Sequence, residues 1–182
     1  MLDRRRALVV LIDLQDSLLP GTAEVSERLV GKVHLFLQAA QSLDLPSIVT
    51  EQNPAKLGST TGRLAGALGD TPRIGKVEFS CFANGDVRQA IHQTGRNQVL
   101  LCGVETHVCV LQTALEAQAA GFQPFVLADA VAAKQKREHK AGLERLRQHG
   151  VDLVTVQMAV FELLRAAGTP EFKALLPVLK QL

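Results

Sequence analysis

The sequence predicts an α/β domain in which helices cover both sides of a mainly parallel sheet. Two observations lead to this prediction. Short continuous apolar runs such as Ala7–Ile12 have the length and branched side chains of strands that are buried on both faces. Amphipathic segments stand between these runs, and strands that alternate with helices along a chain form parallel sheets.

The predicted elements follow one another in a regular order. After the first strand, apolar residues recur every three or four positions over 24–42, which predicts a helix that begins near Thr22. A stretch rich in Gly, Thr and Pro, 51–73, is expected to be a functional loop or lid. Further strands are predicted at 47–50, 99–102, 124–127 and 151–156. Further helices are predicted at 86–94, 107–120, 137–149, 160–166 and 170–180.

Length and composition exclude several classes of protein. A chain of 182 residues fits one domain, 1–182. The 20 Lys and Arg against 18 Asp and Glu leave a formal charge of +2, and Trp and Tyr are absent. Both facts argue against a nucleic-acid partner and against an anionic membrane surface. No apolar run approaches the ~18 residues of a membrane span, and the run before Asp13 is too short for a signal peptide, so we expect a cytoplasmic protein.

The three cysteines point to thiol chemistry. Cys81, Cys102 and Cys109 form an odd set without a C-x-x-C pair, which indicates neither a disulfide framework nor a zinc site. Cys102 is expected in the core of a strand, whereas Cys81 is in a loop where it could be accessible. If Thr106 caps the following helix, Cys109 is the third helical residue, where free N–H groups and the macrodipole favour a thiolate. Cys109 is then a nucleophile or a small core residue, and spacing alone leaves both open.

Polar residues that follow the predicted strands are candidates for a site, because ligands bind beyond the carboxyl ends of parallel strands. Asp13 ends the first run and is either a general base or the cap of a turn. Lys76 is in an apolar setting in which it needs a carboxylate partner, such as Asp13, unless it lies at the surface. Phe79 either lines a pocket or packs a loop. The candidate substrate-binding residues are Gln15, Gln52, Phe79 and Val104.

Several short motifs occur in a characteristic order along the chain. They are Asp13-Leu14-Gln15, Thr50-Glu51-Gln52-Asn53-Pro54, Lys76 with Phe79-Ser80, Gly103-Val104-Glu105-Thr106-His107-Val108-Cys109-Val110, and Leu127-Ala128-Asp129-Ala130. Together these motifs resemble the isochorismatase-like cysteine hydrolase superfamily, and the resemblance covers about residues 8–180. It implies a single-domain three-layer α/β/α fold on a six-stranded, mainly parallel sheet of Rossmann-like architecture.

The resemblance also implies a site and a reaction. Cys109, Asp13 and Lys76 correspond to a Cys-Asp-Lys triad, and a cis peptide between Val104 and Glu105 turns the N–H groups of Glu105 and Cys109 into an oxyanion hole. Asp13 takes the thiol proton, Cys109 attacks the carbonyl of a small amide-like substrate, and water hydrolyses the resulting thioester. Lys76 holds Asp13 in place. The expected partners are therefore a small-molecule substrate and, as in many relatives, further copies of the chain.

The departures from related families refine the expectation. Nicotinamidases hold a metal through Asp and His residues near the end of the second strand, where this chain has Glu51-Gln52-Asn53 and no His. We therefore expect no metal and no organic cofactor. Isochorismatases proper lack the nucleophilic cysteine and hydrolyse a vinyl ether with the aspartate, so Cys109 argues against that reaction.

Two rival functions remain open at the level of sequence. One is a thiol redox or oxidative-stress protein in which Cys109 is oxidised and Cys81 resolves it. The other is a non-catalytic, homo-oligomeric interaction module of the same fold.

Overall fold

Six strands form one sheet in the computed structural model, which describes residues 1–20 and 22–182. The strands are β1 (Ala7–Ile12), β2 (Ser47–Gln52), β3 (Arg73–Lys76), β4 (Gln98–Val104), β5 (Gln123–Ala132) and β6 (Asp152–Val154). Their order across the sheet is β3-β2-β1-β4-β5-β6, and every pairing between them is parallel. The predicted α/β class and the six-stranded parallel sheet are thus confirmed.

Helices cover both faces of this sheet and complete the three layers. They are α1 (Ala23–Ser42), α2 (Pro54–Leu57), α3 (Ala65–Leu68), α4 (Gly85–Gln93), α5 (Leu111–Ala119), α6 (Lys136–Gln148), α7 (Val156–Leu164) and α8 (Pro170–Leu179). The core on one face includes residues of α1, α7 and α8, and the core on the other includes residues of α4, α5 and α6. None of the helices within the described ranges has the length and apolar character needed to cross a bilayer.

Strand β1 lies at the centre of both cores. All six of its side chains are fully buried, and they alternate between the two core clusters. This alternation explains why the run is continuously apolar, because a strand covered on both faces has no solvent side. The helix that follows β1 begins where the sequence predicted, since the Thr22 hydroxyl accepts a hydrogen bond from Val25 N at 3.4 Å.

The 51–73 stretch differs most from the prediction. It contains the short helices α2 and α3, and it leads into strand β3, which the pattern did not reveal. Strand β3 is at the edge of the sheet and its sequence R-I-G-K includes one apolar residue, Ile74. An edge strand with so little buried apolar surface lacks the periodicity by which strands are recognised. Strand β5 is also longer than predicted, and α7 begins at Val156 rather than at residue 160.

The strand order determines where a site can form. After β1 the chain adds β2 and β3 on one side of β1, and it then places β4, β5 and β6 on the other side. The segments that leave β1 and β4 therefore diverge and open a crevice at the carboxyl ends of these two strands. Gly103 pairs with Ile12 at this point. It has a φ of +117°, and a Cβ built on it would be 2.0 Å from the carbonyl oxygen of Ile12. Only glycine fits this close approach of β4 to β1.

We expect Gly103→Ala to lower the free energy of unfolding by about 3 kcal/mol or more, because both the left-handed backbone and the contact with Ile12 oppose a side chain. Urea denaturation measures the change. Gly31→Ala in α1 is the matched control: no atom lies within 4 Å of the added methyl group, so its stability should be equal or higher. Equal stability of Gly103→Ala and the wild type would contradict this account.

Candidate active site

Asp13 directly follows β1 and is held by the neighbouring strand β2. Its N–H donates to the Thr50 carbonyl at 3.1 Å, and its Oδ1 accepts a hydrogen bond from the Thr50 hydroxyl at 2.7 Å. Its φ is +51°, a left-handed conformation that few residues other than glycine adopt, although Asp tolerates it better than most. The position and direction of the carboxylate are therefore fixed through both backbone and side chain.

Lys76 ends β3 and forms a buried ion pair with Asp13. The distance from Lys76 Nζ to Asp13 Oδ2 is 2.6 Å, and both side chains are completely buried. The ammonium also contacts Gln52 Oε1 at 2.7 Å and the carbonyl oxygens of Glu78 and Phe79 at 3.1 and 3.3 Å. All three ammonium hydrogens thus have acceptors. The structure pairs Lys76 with the carboxylate that the sequence suggested.

The chain leaves β4 through a cis peptide between Val104 and Glu105, as the resemblance implied. A π-helical turn, Thr106–Val110, follows, and α5 continues from Leu111. The N–H groups of Val108 and Val110 both donate to the Glu105 carbonyl, at 3.1 and 3.3 Å. Such wide turns are rare and are found frequently at functional sites.

The predicted start of this helix was wrong. Glu105 precedes the turn, so Thr106 is its first residue rather than its cap, and Cys109 is the fourth. The difference has a simple cause, because the π-helical turn winds the backbone more widely than the α-helix assumed from the spacing. Cys109 nevertheless lies beyond β4 at the crevice, beside Asp13.

The surroundings of Cys109 disfavour its thiolate form, contrary to the expectation that its position favours a thiolate. Burial raises the pKa of Cys109 to about 12, the Lys76 ammonium opposes this rise, and the Asp13 carboxylate adds to it through its charge and a hydrogen bond. Removal from water outweighs any benefit from the start of the turn. The Asp13 carboxylate is close enough to the thiol to raise its pKa, so Asp13 is the candidate acceptor of the thiol proton.

The other two cysteines are buried free thiols. Cys102 lies within β4 and burial raises its pKa to about 12, as suits the predicted core position. Cys81 is also fully buried, contrary to the expectation of an accessible loop residue. Its N–H donates to Thr113 Oγ1 at 2.9 Å, its Sγ is 4.0 Å from Thr50 Oγ1, and burial raises its pKa to about 11.

Gln15 fastens the loop after β2 to the end of β1. Its Nε2 donates to the carbonyls of Gln52 and Gly58, at 3.0 and 2.6 Å, and its Oε1 accepts from Gln52 N at 2.7 Å. Glu51 holds the same loop through its Oε1, which accepts from the N–H and the hydroxyl of Thr60 at 2.7 and 2.8 Å. Gln15 thus has a clear structural role, and its contact with substrate stays a prediction.

The remaining candidate substrate contacts surround the ion pair. Gln52 bonds to Lys76 through Oε1 and donates from Nε2 to the Val77 carbonyl at 2.9 Å. Phe79 is 53% exposed, which suits a pocket wall better than a packed loop, and Val104 is buried at the end of β4. Their roles toward substrate, like the oxyanion donors at Glu105 and Cys109, stay predictions.

Two contributors to the site had no assigned role in the sequence. Thr50 orients the carboxylate, but a threonine in a strand is common and gives no signal of such a role. Gly142 of α6 lets that helix approach the π-helical turn, because a Cβ there would be 3.0 Å from His107 Cα. His107 packs here at the back of the turn, consistent with a structural role.

No group of three or more His, Cys, Asp or Glu side chains is arranged to hold a metal ion in the ranges 1–20 and 22–182. The residues that correspond to a metal site in nicotinamidases have other partners here. Glu51 accepts from Thr60, and Gln52 bonds to Lys76.

Comparison with known proteins gives a consistent result. The family model described as Isochorismatase domain matches residues 7–158. Secreted isochorismatase effector Isc1 of Phytophthora sojae (strain P6497) is 38% identical over 150 residues, which cover 80% of this chain and 71% of that protein. All three triad positions are inside the matched range of the family model.

Two solved structures align over nearly the whole chain. The MAR1 ribonuclease from Caenorhabditis elegans has a TM-score of 0.88 at 26% identity, with 98% of this chain and 92% of that chain covered. The YcaC gene product from Escherichia coli, described as an octameric hydrolase of unknown specificity, has a TM-score of 0.86 at 26% identity, with 99% and 93% covered.

Replacement of Lys76 tests the buried ion pair. We expect Lys76→Met to lower the free energy of unfolding by about 3 to 5 kcal/mol, because it leaves the Asp13 charge buried without a partner. The double variant Asp13→Asn with Lys76→Met should recover much of this loss. Arg147→Met breaks an exposed pair with Glu144 and should cost under about 1 kcal/mol in the same urea titration. A small effect of Lys76→Met would refute the pairing.

Alkylation with iodoacetamide tests the state of the Cys109 thiol. Because burial raises the pKa of Cys109 to about 12, the thiolate is scarce at pH 8, so Cys109 should react slowly there and faster as the pH rises. Asp13→Asn removes the charge that raises this pKa, so the rate at pH 8 should increase. Peptide mass spectrometry separates Cys109 from Cys81 and Cys102. Rapid reaction of the wild type near pH 7 would contradict the buried thiol.

Proposed function

The chain belongs to the isochorismatase family, and from that premise we propose that it is a cysteine hydrolase that cleaves the C–N bond of a small amide-like substrate through a thioester. One observation carries the proposal. The Cys109 thiol, whose pKa is raised by burial and by Asp13, lies near this carboxylate, and the hydrogen bonds from Lys76 and Thr50 fix the orientation of Asp13. A protonated nucleophile beside a fixed base is the arrangement that nucleophilic acyl transfer requires.

The first half of the reaction forms the thioester. As Cys109 Sγ bonds to the substrate carbonyl carbon, Asp13 accepts the thiol proton, and negative charge develops on the carbonyl oxygen. The N–H groups of Glu105 and Cys109 are the proposed donors to that oxygen. Collapse of the intermediate breaks the C–N bond, and Asp13 returns the proton to the leaving nitrogen, so that ammonia or an amine departs.

The second half uses water. Asp13 removes a proton from a water molecule that attacks the thioester carbonyl, and the C–S bond breaks to release the carboxylic acid. The proton returns to sulfur, which regenerates the thiol. Throughout the cycle Lys76 stays against Oδ2 and Thr50 against Oδ1, so that Asp13 changes its protonation without changing its position.

The rival functions fit the site less well. A redox sensor needs an accessible thiolate, whereas burial raises the pKa of both Cys109 and Cys81. Vinyl-ether hydrolysis needs Asp13 and gives Cys109 no role. The ribonuclease among the solved relatives makes RNA a substrate to include in assays, although the formal charge of +2 offers little attraction for it.

The proposal also includes the oligomeric state and the cellular location of the protein. We infer that the chain forms homo-oligomers, since the Escherichia coli relative is octameric. Phe79 and Val77, next to the triad, are exposed apolar residues that a neighbouring copy would cover. A cytoplasmic location agrees with three free cysteines, because thiols persist in reducing compartments.

We expect Cys109→Ala to lose at least about a thousandfold in turnover with any amide that the wild type hydrolyses, because no other group replaces the nucleophile. The panel contains aliphatic and aromatic primary amides and N-carbamoyl amino acids, with release of ammonia as the readout. Cys102→Ala removes a thiol from the core of β4 and serves as the matched control, with turnover close to that of the wild type.

Mass spectrometry of the quenched reaction should show an acyl group on the peptide that contains Cys109. Isochorismate and a short RNA are tested in parallel with both variants. Hydrolysis of isochorismate that survives in Cys109→Ala but not in Asp13→Asn would replace the thioester proposal with aspartate chemistry. Cleavage of RNA without any amide turnover would reject the proposal.

A further inference from the structure

A cleft of about 760 Å³ lies at the carboxyl end of β5, between the first turns of α1 and α6. Its walls do not include Asp13, Lys76 or Cys109, so it is distinct from the triad. It has the size of cavities that bind small organic molecules. The function proposed above makes no use of it.

The base of the cleft is apolar and its rim is basic. Val25, Leu29 and Leu143 are among the apolar residues that line it. Lysine and arginine side chains come from α1, from α6 and from the loop between β5 and α6: Arg28, Lys32, Lys134, Lys136 and Lys140. The one carboxylate in the lining, Asp129, already accepts a hydrogen bond from Val156 N at 2.8 Å. The cleft therefore carries a net positive charge above an apolar surface.

Most of these cations lack an internal partner. Lys32 donates to the Leu182 carbonyl at 2.9 Å, but across residues 1–20 and 22–182 no ion pair forms with the other four basic residues of the rim. Elsewhere on α6 the situation is different, because Arg137 pairs with Glu138 at 3.0 Å and Arg147 pairs with Glu144 at 2.8 Å. Of the three arginines of α6 outside the cleft, two are thus paired and Arg145 is not, whereas neither lysine of α6 in the cleft has an ion-pair partner in the part of the chain that the structure describes.

Two helix dipoles add to this charge. Thr22, which caps α1, and Lys136, the first residue of α6, both line the cleft, so the positive ends of both helices are directed to it. His139 is also in the wall, and burial lowers its pKa, so it contributes a neutral imidazole near pH 7. Cations from two helices and one loop, together with two helix N-termini, surround one cavity.

We propose that this cleft binds an amphipathic organic anion, with its carboxylate or phosphate at the basic rim and its hydrocarbon part on the apolar base. Like charges placed together repel one another, and a bound anion removes that repulsion. The apolar base offers area for a hydrocarbon body but no reason to retain inorganic phosphate. The bound molecule must therefore have both parts.

The cleft is connected to the nucleophile segment by two hydrogen bonds. The N–H of Lys134 donates to Glu105 Oε1 at 2.8 Å, and His139 Nδ1 bonds to Thr106 Oγ1 at 2.9 Å. Glu105 immediately precedes the turn that carries Cys109, and Thr106 is the first residue of that turn. An anion in the cleft therefore contacts residues that position this turn, although its binding does not depend on the hydrolase function.

Isothermal titration calorimetry with octanoate tests the proposal on the full chain. We expect the wild type to bind octanoate, and Lys136→Gln with Lys140→Gln to weaken binding about tenfold or more, since two cations leave the rim. The matched control, Arg137→Gln with Arg147→Gln, removes two positive charges from the same helix outside the cleft and should bind as the wild type does. The substituted side chains are all exposed, so each variant should fold, which circular dichroism checks.

Three further titrations define the ligand. Octanol should bind at least about tenfold more weakly than octanoate because it lacks the charge, and inorganic phosphate should bind weakly because it lacks the hydrocarbon. A titration with octyl phosphate compares a phosphate head group with the carboxylate of octanoate. Tighter binding of either molecule supports the proposal and shows which head group the cleft prefers. Equal affinity for octanol and octanoate, equal losses in the two double variants, or no octanoate binding would overturn it.

The variant Cys109→Ala distinguishes binding in the cleft from binding at the proposed hydrolase site. Octanoate should bind that variant as it binds the wild type, because Cys109 is not in the cleft. Binding that disappears in Cys109→Ala would place the anion at the triad and refute a separate site. Failure of every amide assay, by contrast, would leave these titrations unaffected.

Discussion

The buried ion pair between Asp13 and Lys76 is the interaction on which the site depends. Two charges without solvent contact are costly to bury, and each is tolerable only while the other remains in place. The pair also joins the end of the central strand β1 to the end of the edge strand β3, with β2 between them. Thr50 and Gln52 on β2 also form hydrogen bonds with the pair, so three adjacent strands end in one polar network.

The order of the strands makes that network useful. Strands β2 and β3 lie on one side of β1, and β4, β5 and β6 lie on the other. The carboxylate that follows β1 and the thiol that follows β4 therefore both lie at the crevice between these two strands, rather than beneath a helix. Gly103 lets β4 approach β1 there, and Gly142 lets α6 pack against the turn behind Cys109. Two positions without side chains thus allow the close packing of β4 on β1 and of α6 on the turn.

The sequence predicted the parts of this structure that depend on local pattern. The bounds of β1 were predicted because a strand buried on both faces is apolar throughout, and Asp13 was named as a partner for Lys76 because a buried ammonium needs a carboxylate. Strand β3 was missed because it is short and has little apolar pattern of its own. It is a strand because it pairs with β2, which is distant in sequence. The thiol pKa was predicted in the wrong direction, because desolvation depends on the surrounding fold, whereas the helix dipole is suggested by local sequence.

The placement of Lys76 on β3 has a consequence for the stability of the site. A four-residue edge strand has one neighbour and little buried apolar area, so it opens at a lower free energy than the interior strands. When it separates from β2, the ammonium leaves Asp13 and the base loses its counter-ion, while the rest of the sheet is still folded. Separation of this one edge strand is therefore sufficient to disable the proposed base, without unfolding of the interior strands.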